Sequence, residues 1–198
     1  MKLKGEENLQ QMYQARRKQT EPREHDHLRA VPRGMEYHFY LTEAIEMNGN
    51  IHNLCDTLRM ANQNDMVFIH LNSPGGELRV AAQIISAMKD SNSNVVTCAE
   101  GEVYSAASLI FFAGSGYSIS NFSNFMIHNA STFSGGVLTN IKNDIDNVES
   151  WITSMYKEVY VPFFTEEEID SILESGKDFY FNPIEIIGRI DRVRGDSI

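Results

Sequence analysis

Met66-Val67-Phe68-Ile69-His70-Leu71-Asn72-Ser73-Pro74-Gly75-Gly76 is an apolar run that ends abruptly in turn-forming residues. Its apolar density predicts a strand over 66–71, buried on both faces as in a parallel sheet. Asn72 to Gly76 can continue neither a strand nor a helix, because proline removes a donor and paired glycines free the backbone. Beyond the turn, Val80, Ala81, Ile84, Ile85 and Met88 recur at helical spacing, and Val95-Val96-Thr97-Cys98 reads as the next strand. Strand, turn, helix and strand in quick succession predict an α/β fold with a mostly parallel sheet.

The same alternation extends both ways. Upstream, Tyr37 to Leu41 is aromatic and strand-like, and Ile51, Leu54, Cys55 and Leu58 step as one helix face. Residues 1–36 carry no such periodicity and read as an extension that is flexible or ordered by a partner, with a short helix around Glu7–Lys18. The domain proper is expected over residues 37–198. Downstream, Gly101-Glu102-Val103-Tyr104 is expected to turn, and Ser105–Ala113 to form a buried helix closed by Gly114. Phe125-Met126-Ile127-His128 reads as a short strand. Val137, Leu138, Ile141, Ile145, Val148, Ile152, Met155 and Val159 then give the longest apolar stripe, which serves either a core or a subunit interface. Thr165 and Glu168 form a capping box, Gly176 closes that helix, and Phe179-Tyr180-Phe181 begins a last strand.

Composition narrows the function. The chain has 198 residues and a formal net charge of −10, and residues 37–198 carry 9 Lys/Arg against 21 Asp/Glu. Such an acidic body repels phosphate backbones, so no nucleic-acid partner is expected. No apolar run is long enough to span a membrane, and the first residues lack the apolar stretch of a secretory signal. With only Cys55 and Cys98, no disulfide framework is expected, and the reading is cytoplasmic. His25 and His27 lack further ligands nearby, so no metal site is expected, and no cofactor motif is present.

Acyl transfer needs a nucleophile, a base, a group that orients the base, and N–H donors for an oxyanion. Ser105 follows a turn at a helix start, where its hydroxyl serves as a nucleophile or simply as an N-cap. Ser108 is a rival alcohol, expected to pack against backbone. His128 ends its strand as either a base or a satisfied edge histidine. Pro74-Gly75-Gly76 is either a plain tight turn or a place where a substrate meets backbone N–H groups.

Taken together, Ile69–Gly76, Gly101–Ala107 with Ala113-Gly114, Met126-Ile127-His128 and Lys177–Phe181 through Glu185 resemble the Clp protease proteolytic subunit. The resemblance covers Tyr37 to the C-terminus. It implies the ββα superhelix shared with crotonases, with mostly parallel sheets and a protruding handle helix over Val137–Tyr160. It further implies Ser105 as nucleophile, His128 as base, Asp178 as the acid that orients it, and the N–H groups of Gly76 and Ala106 as oxyanion hole. The implied activity is that of a serine endopeptidase acting on polypeptides inside a homo-oligomeric ring, one that stacks on a second ring and is fed by an AAA+ ATPase unfoldase. Tyr104 and Ala107 stand where the family carries a small residue and a glycine, and Asn129-Ala130 where it carries Gln-Pro. Tyr104 and Ala107 motivate a second reading, a degenerate Clp-like scaffold subunit that assembles but cleaves little, and the shared superhelix and backbone oxyanion hole motivate a third, a crotonase-type acyl-CoA enzyme.

Overall fold

The computed structural model describes residues 34–130 and 138–195. The expectations for residues 1–33, including the short helix and the two histidines, and for Val137 lie outside these residues, as do the side chains of Leu138 and Ile141.

Six strands make one sheet: β1 (Glu36–Leu41), β2 (Met66–Ser73), β3 (Asn94–Tyr104), β4 (Gly116–Ile119), β5 (Asn124–Ile127) and β6 (Phe179–Phe181). The order is β1-β2-β3-β5-β6, with β4 paired to β3 off this path. Every ladder is parallel except β5–β6. Helices α1 (Gly49–Met60), α2 (Leu78–Asp90) and α3 (Ala106–Phe112) alternate with the strands, and α4 (Leu138–Tyr160), α5 (Glu166–Ser175) and α6 (Pro183–Gly195) follow. This is the mixed α/β architecture with a mostly parallel sheet that the sequence predicts. No helix among the described residues is long and apolar enough to cross a membrane.

Two local expectations change. β2 is buried on one face only: Val67, Ile69 and Leu71 join the core with Leu54, Leu58 and Ile84, while Met66, Phe68 and His70 remain partly exposed. The open face is covered by stacking rings instead, His38 on Phe68 at 4.7 Å and Tyr40 on His70 at 4.5 Å. His70 Nδ1 also meets Glu100 Oε1 at 2.6 Å.

The second change concerns residues 101–104, which are strand and not turn. β3 serves two ladders in sequence. Val96–Ala99 pair with β4, and Glu102–Tyr104 pair with β5. Asn72 sits at the switch, where the β2–β3 register shifts, and its Oδ1 accepts from the Glu102 N–H at 2.9 Å. Gly101 makes room for it, since a Cβ there would fall 2.2 Å from Asn72 Oδ1. The glycine thus permits a side chain to pack across the strand without ending it.

The α4 stripe divides into two environments. Ile152, Met155, Tyr156, Val159 and Tyr160 are buried in the core, whereas Ile145 and Trp151 are exposed and Val148 only half-buried. α5 starts at the expected capping box: the Thr165 N–H donates to Glu168 Oε2 at 2.9 Å, and the Glu168 N–H donates to Thr165 Oγ1 at 3.2 Å. Gly176 closes it in the left-handed conformation.

Candidate active site

Asn72 to Gly76 leaves the sheet as a turn stapled from within. The buried Ser73 hydroxyl donates to the Glu43 carbonyl at 2.6 Å and accepts from the Gly75 N–H at 3.1 Å. Gly75 has φ of 96°, and a Cβ there would lie 2.7 Å from both Ser105 Cβ and the Tyr104 carbonyl. Only glycine fits, because the conformation and the close approach both forbid a side chain.

The next residue forms a bridge with Ile45. The Ile45 N–H donates to the Gly75 carbonyl and the Glu77 N–H to the Ile45 carbonyl, each at 2.8 Å. In a parallel bridge of this kind the N–H of Gly76 itself points away from Ile45. Gly76 also lines the cleft that Ser105 and His128 share.

Ser105 joins β3 to α3 and is the sole non-glycine residue at positive φ among the described residues, at φ 52° and ψ −122°. Holding an L-residue there costs about 1–3 kcal/mol, which the surrounding packing must supply. Its N–H donates to the Met126 carbonyl at 2.8 Å, and every residue of α3 behind it is buried. The hydroxyl does not cap the helix. Instead Ser105 Oγ lies 2.8 Å from His128 Nε2. The Ala106 N–H opens α3, where a helix has no internal partner for it. Ser108, the rival alcohol, is fully buried and bonded at 2.7 Å to both the Ser105 carbonyl and the Tyr160 hydroxyl.

β5 delivers His128 one residue past its end. The Tyr156 hydroxyl donates to the His128 carbonyl at 2.8 Å, and Asn129 Nδ2 donates to the Leu173 carbonyl at 2.5 Å. Burial pushes the Tyr156 phenol well above its ordinary range, so it stays a donor at any ordinary pH. Tyr156 lies beside the apolar positions that define the α4 stripe, and spacing alone does not single it out.

Asp178, just before β6, brings Oδ1 to 3.4 Å from His128 Nδ1. That separation is an ion-pair contact, longer than the usual N–H···O bond. The side chains are 32% and 49% exposed, so solvent reaches the acid more readily than the imidazole.

Of the five residues that the resemblance implies, Ser105 bonds His128, Asp178 reaches the other ring nitrogen of His128, Gly76 lines the same cleft as both Ser105 and His128, and Ala106 follows Ser105 in the chain. Gly76, Ser105 and His128 open onto a cleft of about 640 Å³, walled by Leu78, Met126, Val148, Trp151 and Ile152. Tyr104 is not among its lining residues, and Ala107 is an ordinary buried helical residue that needs no glycine. Among the described residues no group of three or more His, Cys, Asp or Glu is arranged to hold a metal ion.

No curated protein matches the chain. Its residues 37–194, nearly all of the described structure, match the Clp protease family, and the chain belongs to that family.

Proposed function

We propose that the chain is a serine endopeptidase in which Ser105 attacks and His128 is its base. The observation that carries this reading is a hydroxyl held 2.8 Å from an imidazole nitrogen on a backbone at φ 52°, where a serine serving only as a cap has no reason to be. In the mechanism, His128 Nε2 takes the Ser105 proton as Oγ bonds to the peptide carbonyl carbon. The carbonyl oxygen becomes an oxyanion, received by the Gly76 and Ala106 N–H groups, and each such donor is typically worth about 3–4 kcal/mol. His128 then gives the proton to the departing amine, leaving an acyl group on Ser105, which water removes by the same steps. Asp178 keeps the Nδ1 proton in place and balances the imidazolium, its contact tightening as substrate excludes water.

The apolar part of the lining, Leu78, Met126, Val148, Trp151 and Ile152, suits an apolar side chain next to the scissile bond, while Glu77 and Arg79 line the same cleft. We assign residues 1–36 as an extension and 37–198 as the peptidase domain, working as a homo-oligomeric ring in the cytoplasm. Exposed Ile145 and Trp151 on α4 favour contact with another copy. A second ring and an AAA+ unfoldase that feeds polypeptide to the site enter this reading from the family alone. The scaffold reading loses its motive, since Tyr104 lies off the cleft lining and Ala107 is unstrained. Separation of Ser105 from His128 beside a CoA-shaped pocket would have supported the crotonase reading, whereas Ser105 Oγ and His128 Nε2 lie 2.8 Å apart.

Labelling with a fluorophosphonate tests the assignment. The wild-type chain should react at Ser105, and Ser105→Ala should not. Absence of labelling at high probe concentration in a protein that still assembles would favour the scaffold reading instead.

A further inference from the structure

β6 is three residues long, yet its register decides where Asp178 stands. Met126 faces Tyr180 and Ile127 faces Phe179 in the antiparallel ladder, so the next pair along sets His128 opposite Asp178. Alternation places Tyr180 on the same face as Asp178, and β3 brings Tyr104 into register with Met126 from the other side. Two tyrosines therefore flank Met126 in one row, immediately beside the row that holds the imidazole and the carboxylate. Their rings meet edge to face, with centroids 6.1 Å apart and planes at 86°. Tyr104 is anchored in turn, because Asn124 Nδ2 donates to its hydroxyl oxygen at 2.9 Å.

We infer that Tyr180, braced by Tyr104, is a positioning residue that holds the Asp178 carboxylate against His128, an inference that rests on the triad reading above. The need for a brace is visible in the acid itself, which is half exposed and in contact at 3.4 Å. A carboxylate in that situation turns readily towards water unless its strand is held. Core packing does little of the holding on this face, since Tyr180 is 57% exposed. The phenol of Tyr180 is raised from its ordinary value, by partial desolvation first and then by the negative charge of Asp178, which places the two side chains in each other's field. The bulky residue before Ser105 thereby acquires a use: it reaches past Met126 to the strand that carries the acid.

The test is a double-mutant cycle on the full-length chain, read with a short fluorogenic peptide carrying an apolar residue before the scissile bond. Tyr180→Leu should lower kcat about tenfold with KM within about twofold, as expected when a group is displaced without loss of substrate contacts. Tyr180→Phe keeps the ring but loses the hydroxyl that interacts with Asp178, so its kcat should lie between those of the wild type and Tyr180→Leu. In an Asp178→Asn background Tyr180→Leu should change kcat by less than about twofold, because the residue through which it acts is already disabled. Equal losses in both backgrounds, a change in KM alone, or no loss in Tyr180→Leu would overturn the inference while leaving the triad intact. An Asp178→Asn protein as active as wild type would remove the triad reading and this inference together. Should Tyr180→Leu fail to fold, Tyr104→Leu removes the brace from the β3 side and must show the same kcat-only loss, abolished by Asp178→Asn.

Discussion

Ser105 and Asp178 flank one imidazole and are held by very different amounts of structure. On the serine side, an eleven-residue strand runs into a helix buried at every position, and Gly75 is pressed against Ser105 from the neighbouring turn. The aspartate side has a three-residue strand at the sheet's edge, a half-exposed carboxylate and a contact of 3.4 Å. The contrast fits the roles proposed for the two atoms. An attacking oxygen has to meet a carbonyl carbon within a few tenths of an ångström, whereas a balancing charge tolerates looser placement because its field falls off slowly.

If that contrast governs activity, substitutions should rank by side. Ser105→Ala should lower peptide hydrolysis by about 10⁴-fold or more, since among the described residues Ser105 supplies the hydroxyl bonded to the His128 imidazole. Gly75→Ala should come next: a methyl forced to within 2.7 Å of Ser105 Cβ at φ 96° should destabilise the fold by about 2–3 kcal/mol in denaturant titration, with hydrolysis falling alongside. Asp178→Asn should cost only about a hundredfold in kcat, less than the roughly 10⁴-fold known for a buried acid in this role. A loss equal to that of Ser105→Ala would erase the distinction between the two sides.

The smallest expected effect probes what secures β6 from behind. Arg189 donates to both Glu168 oxygens, at 2.8 and 2.9 Å, and lies over the rings of Phe164 and, in β6, Phe181. These bonds from Arg189, with help from the Thr165 N–H and against the effect of burial, hold the Glu168 carboxyl below its usual range. A lowered carboxyl contributes stability that is present above the unfolded value, about 4.3, and is lost as pH falls through the folded value. Glu168→Gln should therefore melt about 2 °C lower at pH 7, a modest effect because the pair is partly solvated, and the gap should narrow progressively as pH falls below about 4.3. A gap that does not narrow on acidification would assign the loss to packing instead of charge.

Much of this was legible in the residues because it depends on local rules. The α1 face of Ile51, Leu54, Cys55 and Leu58 is buried as its spacing requires, and the capping box at Thr165 forms as written. The Ser105–His128 meeting was reachable only through likeness to a family, since 23 positions separate two residues whose contact depends on the β3–β5 pairing. Gly101 misleads because a glycine that admits the Asn72 side chain looks the same in sequence as one that turns the chain. α6 carried an unread signal: Asn182 and Glu185 cap each other reciprocally at 2.8 and 3.0 Å, with Pro183 opening the helix. The Tyr104–Tyr180 contact leaves no pattern at all, because it spans three strands and joins residues of unrelated period.

The backbone at Ser105 also bears on how such a protein drifts. Glycine would sit there without steric penalty, so Ser105→Gly should unfold at higher denaturant than Ser105→Ala, by about 1 kcal/mol once glycine's extra chain entropy is subtracted. Selection acting on durability alone would thus steadily favour discarding the hydroxyl. Holding a serine in this conformation therefore lowers stability, and the proposed role of its hydroxyl as nucleophile is what would offset that loss.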